Sequence, residues 1–143
     1  MGANSYVINP KDGTTSFGSL PALTLPGGYI VPAGIIVLKE GAIWKEQKGL
    51  GGFGVKHIWE GHHFELVRNG YTSISDVPRF VSDIITPGAD LYYEGNRGSR
   101  MNVLQSKLGI VILEYKISHA RAIHSVVSAY TKRSSRGVKV HTL

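Results

Sequence analysis

Histidine is the side chain that both takes and gives a proton near neutrality, and this chain carries six. Three of them, His57, His62 and His63, crowd into Gly52-Phe53-Gly54-Val55-Lys56-His57-Ile58-Trp59-Glu60-Gly61-His62-His63. A lone histidine is usually a surface or satisfied core residue, whereas a cluster beside glycines fits an acid–base site as readily as a packing role. Zinc is a poor match. Two zinc ligands on a helix normally sit at i and i+4, but His57 precedes His62 and His63 by more than that, and the chain has no cysteine. Nor does Glu60 complete a His-Glu-x-x-His pattern, so neither a metal nor a cofactor is called for.

Gly49, Gly51 and Gly54 formally match Gly-x-Gly-x-x-Gly, with Asp76 about where a ribose-binding acid would stand. The context fails, because Lys45-Glu46-Gln47-Lys48 does not read as a buried strand and no parallel βαβ unit follows. The glycines read better as a turn whose amides at a helix start could meet a phosphate, or as a flexible connection.

A second group of polar residues lies near the C-terminus. Strict alternation through Ile123–Arg133 predicts a half-buried strand with His124, Val126, Ser128, Tyr130 and Lys132 on one face and Ser125, Val127, Ala129, Thr131 and Arg133 on the other. The first face offers a hydroxyl, a phenol and an ammonium in a row, able to hold an anion and stabilise charge developing on it; a solvated sheet face would look the same. Glu114, Lys116 and His119, just upstream, add further polar groups.

The elements that must position these groups can be read from period and punctuation. Residues 1–28 are rich in Gly, Ser, Thr, Asn and Pro and are expected to form an arm or linker, followed by a single domain over 29–143. Two short strands are expected between Tyr29 and Trp44, around a turn at Lys39-Glu40-Gly41. Val55 to about Val67 reads as a short helix, stopped by Asn69-Gly70. Val77, Phe80, Val81, Ile84 and Ile85 recur at helical intervals between Ser75-Asp76 and Pro87-Gly88, marking a second helix. Leu91–Tyr93, Asn102–Ser106, Leu108–Ile117 and Ala122–Lys132 read as strands joined by short turns, hence an antiparallel sheet. The fold class is α+β, with helices preceding the sheet.

A hydrophobic content of 42% suffices for one core. Lacking cysteine, that core gains nothing from disulfides. No run of 18 apolar residues marks a membrane span, and residues 1–6 resemble neither a signal peptide nor a myristoylation site. The net charge of +6 favours a polyanionic partner through counterion release. Lys132, Arg133, Arg136 and Lys139 concentrate positive charge in a stretch without acids.

Taken in order, these pieces resemble the barnase, EndoU, colicin and RelE (BECR) superfamily of ribonucleases. The likeness is strongest to toxin domains of phage proteins and of contact-dependent growth inhibition and other polymorphic toxin systems. It rests on Ile36-Val37-Leu38 with Gly41, on Gly52-Phe53-Gly54-x-x-His57-Ile58 with His62 or His63 beyond, and on Val126-Val127-Ser128-Ala129-Tyr130, and spans roughly residues 29–133.

The resemblance implies a twisted antiparallel sheet of four strands, or slightly more, behind the helices. It implies a metal-independent endoribonuclease that cleaves RNA, tRNA foremost, to 2′,3′-cyclic phosphate and 5′-hydroxyl ends. His57 would be the leading general base or acid and His62 the next, with Ser128 and Tyr130 at the scissile phosphate. Lys56, Lys116, Lys132 and Arg133 would bind substrate, Arg136 and Lys139 would extend the grip, and Trp59, Tyr92 and Tyr93 are available for stacking on bases. Ser128 stands where many relatives carry Thr, and the doubled His62-His63 leaves either available as second histidine. The resemblance further implies secretion or delivery as part of a larger toxin, action in the target-cell cytoplasm, and an acidic immunity protein as partner. The competing readings are a non-catalytic basic RNA-binding module and an ADP-ribosyltransferase-type toxin.

Overall fold

The computed structural model describes residues 2–46, 49–94, 101–131 and 137–143. The segment with the clearest helical period forms helix α2 (Val77–Ile84), entered through a 3-10 turn at Ile74–Asp76. The Asp76 carboxylate anchors that entry by accepting the Thr72 and Ser73 backbone N–H groups at 2.9 and 3.2 Å. Val77, Phe80, Val81 and Ile84 are fully buried, as their spacing predicts. Helix α1 (Gly54–Arg68) buries Val55, Ile58 and Leu66 in the same core.

The strands are β1 (Ser19–Leu20), β2 (Leu23–Thr24), β3 (Ile30–Val31), β4 (Gly34–Val37), β5 (Ala42–Glu46), β6 (Gly49–Phe53), β7 (Asp90–Tyr93), β8 (Met101–Gln105), β9 (Ile110–Ser118), β10 (Arg121–Tyr130) and β11 (Val138–Thr142). Seven of them make one curled sheet in the order β1-β4-β10-β9-β8-β7-β11, antiparallel at every pairing except β4 with β10. The class is therefore α+β with a mostly antiparallel sheet, as the sequence leads one to expect, but with seven strands in place of about four. Three strands supply the excess. β4 lies within the strand-like stretch Tyr29–Trp44 ahead of the helices and joins the sheet beside β10, β1 is too short to show a period, and β11 reads in the sequence as a basic tail although Val138 and Val140 alternate with Lys139 and His141. Among the described residues, no helix is long and apolar enough to cross a membrane.

The stretch before residue 29 is woven into the fold rather than trailing from it. Phe17, Leu20, Leu23 and Leu25 lie in the core, and Val7 N–H donates to the Leu38 carbonyl at 2.8 Å. The Gly-rich segment is likewise more ordered than a turn, since β6 pairs with β5 along its length as a hairpin.

Two glycines fix where α1 begins. Gly41 (φ 83°) and Gly54 (φ 78°) sit in the left-handed region and cross so closely that a Cβ on either would meet backbone of the other segment. At this crossing Val55 N–H donates to the Lys39 carbonyl (3.0 Å) and Lys56 N–H to the Glu40 carbonyl (3.1 Å). Two leading amides of the helix are thereby taken, so they do not form the phosphate cradle that the glycines allowed.

Strand β4 pairs with β10 only from Ile123 to Ser125. Farther along β10, α1 and β6 lie against the strand. The register there breaks: Val126 pairs with Leu113 but Ser128 with Ile112, leaving Val127 as the extra residue of a β-bulge.

Candidate active site

His57 stands in the first turn of α1 and is half-buried, its Nδ1 enclosed without a hydrogen-bond partner. Burial, and next the charge of His62, hold its pKa below the usual histidine range, while a hydrogen bond with the Gly51 backbone opposes the shift. His62 lies farther along the same helix with its ring stacked on Tyr130, centroids 4.8 Å apart and planes 25° apart. Its Nδ1 is 3.6 Å from Glu65 Oε1. Burial lowers the His62 pKa too, against the stabilising charge and hydrogen bond of Glu65. That same Glu65 oxygen accepts the Thr131 N–H at 2.8 Å, pinning the end of β10 to α1.

The bulge decides which β10 side chains join this group. Paired residues of antiparallel strands share a face, so Ser125 (opposite Glu114), Ser128 (opposite Ile112) and Tyr130 (opposite Ile110) lie together. His124, Val126 and Ala129 lie on the other face, with Tyr115, Leu113 and Val111. The single polar row expected from strict alternation is thus split, because an extra residue inverts the alternation beyond it. His124 lies on the face that carries the main core and is 0% exposed, its Nε2 3.3 Å from the Pro32 carbonyl oxygen and its Nδ1 without a partner, while Ser125 and Ser128 on the other face are buried as well. Burial pushes its pKa down as well.

Lys116 and Glu114 share the Ser128 face and pair at 3.3 Å. The ammonium groups of Lys116 and Lys39 each lie 6.0 Å from the Phe53 ring centroid, at the end of β6 that leads into α1. Along the row from Ser128 the pairings run Ile112, Val103, Tyr92, Lys139. Tyr92 and Lys139 therefore stand on the same face, with Tyr92 about 14 Å from Ser128 at ordinary strand spacing. Lys139 also pairs with Asp90 at 3.9 Å.

Of the residues singled out from sequence, His57 and His62 lie on α1, where the His62 charge acts on His57, and Ser128 and Tyr130 share one face of β10, with Tyr130 stacked on His62; Lys116 stands on that same sheet face. Lys56 is exposed on α1, and no hydrogen bond or ion pair ties it to the cluster. Lys132, Arg133 and Arg136 lie outside the described residues. Of the adjacent histidines, His62 meets Tyr130, whereas the His63 ring lies against Trp59 and Phe64 and its Nδ1 is 3.0 Å from the Trp59 carbonyl oxygen. Trp59 and Tyr93 pack against the core.

Three members of the site were not picked out from the sequence. Glu65 was legible in principle, as the i+3 neighbour of His62 on a helix. Ser125 was assigned by strict alternation to the face opposite Ser128, and Lys39 was read as a turn residue; neither had a local signal to correct it. Among the described residues no group of three or more His, Asp or Glu could hold a metal ion. No protein-family model matches the chain, and neither a curated protein nor a solved structure does.

Proposed function

We propose that the protein is a metal-independent endoribonuclease of the toxin type, cleaving RNA by attack of a ribose 2′-hydroxyl on the adjacent phosphorus. The observation that carries this reading is the α1–β10 seam: two histidines of lowered pKa on one helix, the second stacked on Tyr130, which shares its sheet face with Ser128 and Lys116.

In this mechanism neutral His57 takes the proton of the 2′-hydroxyl as O2′ bonds to phosphorus. The P–O5′ bond breaks, and protonated His62 gives its proton to O5′. His62 suits the acid because Glu65 beside Nδ1 supports its charged form, whereas His57 feels the His62 charge as repulsion. The pair then works with one proton between them. The Ser128 and Tyr130 hydroxyls bind the scissile phosphate and the charge that builds on its oxygens, while Lys116, farther along the same sheet face, grips the strand away from the point of cleavage. The products are a 2′,3′-cyclic phosphate and a 5′-hydroxyl, and DNA resists because it lacks the internal nucleophile.

The resemblance carries the proposal further, to a toxin delivered within a larger protein to a target-cell cytoplasm, with tRNA the foremost substrate and an acidic immunity protein covering the basic surface. Purified protein incubated with total bacterial RNA in excess EDTA, alongside His57→Ala, tests the reading. Discrete fragments from the parent alone support it. RNA that stays intact with both across pH 5 to 8 sinks it, and equal RNA binding by the two inactive proteins would establish a binding module instead.

A further inference from the structure

Beside the bridge between Tyr6 and Lys39, and next to the β9–β10 hairpin, a cavity of about 470 Å³ opens, lined chiefly by Asn4, Tyr6, Lys39, Lys116, Ser118 and His119. Its floor carries an unusual residue. Lys39 is only 6% exposed, yet among the described residues it forms no ion pair and its ammonium donates no hydrogen bond. Burial, and then the Lys116 charge, hold the Lys39 pKa below the lysine range, with Glu114 acting the other way. The carboxylate that acts on it, Glu114, is itself paired with Lys116 at 3.3 Å.

A largely covered lysine that lines a cavity beside a second lysine, with no carboxylate paired to it, offers charge to an anion. The lining supplies what a tetrahedral oxyanion requires. Two lysines bring charge, while the Asn4 amide, the Tyr6 and Ser118 hydroxyls and the His119 ring bring further donors. The donors come from three separate segments, each fixed by backbone. Tyr6 is bridged to Lys39. Ser118 and His119 are held by a two-residue turn in which His119 (φ 51°) and Ala120 (φ 64°) both take the left-handed conformation.

The position relates the cavity to the seam. Both lysines flank Phe53, which lies two residues beyond Gly51, whose backbone bonds His57. We infer that this cavity is a phosphate subsite, taking a second phosphodiester of the RNA strand whose scissile phosphate lies at His57 and His62. The inference rests on the ribonuclease reading for the identity of the strand, but not for the binding of phosphate.

Two binding measurements on the whole chain test it. In the first, inorganic phosphate is titrated at constant ionic strength maintained with chloride, following the amide resonances of Ser118 and His119. The inference predicts saturable shifts in the parent that are lost in Lys39→Met and in Lys116→Gln. The first variant exchanges a buried charge for an unbranched apolar chain; the second alters an exposed side chain and keeps the fold in any case. Equal shifts in the parent and both variants would overturn the site.

The second measurement uses a 2′-O-methyl RNA decamer, which cannot be cleaved. Its affinity is predicted to fall in both variants, and the slope of log affinity against log salt to become shallower by roughly 0.7, the value for one single-strand phosphate contact. Unchanged affinity and slope, with the phosphate shifts intact, would assign the cavity to a small free phosphate and overturn the strand assignment. Because neither probe is cut, natural RNA that stays intact would sink the ribonuclease reading while leaving the phosphate titration to be judged alone.

Discussion

The His62 ring lies flat against the Tyr130 ring, 4.8 Å centroid to centroid, and this stack joins a helix residue to the end of a bulged strand. The stack sets the orientation of the imidazole and presents a phenol beside it. Tyr130→Phe should keep the stack and remove the hydroxyl, lowering kcat roughly 10²-fold with little change in melting temperature, as loss of one transition-state donor does. Tyr130→Ala should lower kcat further and move the pKa of His62. Steady-state kinetics and histidine NMR titration of the two variants check both statements; full activity in Tyr130→Phe would leave Tyr130 as a packing residue.

Both seam histidines have pKa values below 6.5, which places the pH optimum on the acid side of neutrality. Activity should fall on the acid limb as His57 gains a proton and on the alkaline limb as His62 loses one. Glu65 raises the His62 pKa, so Glu65→Gln should move the alkaline limb to lower pH while keeping an acceptor for Thr131 N–H. A profile of kcat against pH reads both effects.

Acid should also destabilise the fold. His57, His62 and His124 all have folded-state pKa values below the unfolded value near 6.5. Between the two values the unfolded chain binds more protons, so stability is full above pH 6.5 and is lost as pH falls toward the folded pKa values. Each group contributes up to about 1.4 kcal/mol per pH unit within its window. His124→Phe, which retains an aromatic ring beside Tyr115, should flatten this dependence in urea titrations from pH 7 to 5; an unchanged slope would show that His124 is not the buried neutral group described.

The crossing of Gly41 and Gly54 sets the start of α1 and with it His57. Gly54→Ala forces an L side chain into a positive-φ position against the Lys39 carbonyl. It should cost about 1–3 kcal/mol and lower RNA cleavage more than that loss of folded protein accounts for. Gly61→Ala, on the same helix with open space around its Cα, should stabilise instead by up to about 1 kcal/mol.

Much of this organisation was legible from the chain. Both helices follow from spacing and punctuation: Val77, Phe80, Val81 and Ile84 for one, Val55 and Ile58 before Asn69-Gly70 for the other. Four sheet strands are legible in the sequence, and two of the residues that its pattern singles out, His62 and Tyr130, meet in the stack. What failed was what local pattern does not encode. The bulge at Val127 inverts the alternation of the residues beyond it, and nothing in Val126-Val127-Ser128 announces it. β1 is defined by its partner Gly34-Ile35 rather than by its own two residues. Lys39, outwardly a turn residue, is buried where the chain around Tyr6 bridges to it, a pairing far apart in sequence.

The central claim is attack by a ribose hydroxyl under histidine control. Once cleavage of a natural RNA is mapped, an oligonucleotide spanning that site should be compared with one carrying a single 2′-deoxy nucleotide on the 5′ side of the scissile phosphate, both in EDTA, with the parent protein and with His57→Ala and His62→Ala. The account predicts a 2′,3′-cyclic phosphate from the all-ribose strand, no cut in the deoxy strand, and losses of about 10²–10⁴-fold in each variant. Cleavage of the deoxy strand, or undiminished cleavage by both variants, would contradict it.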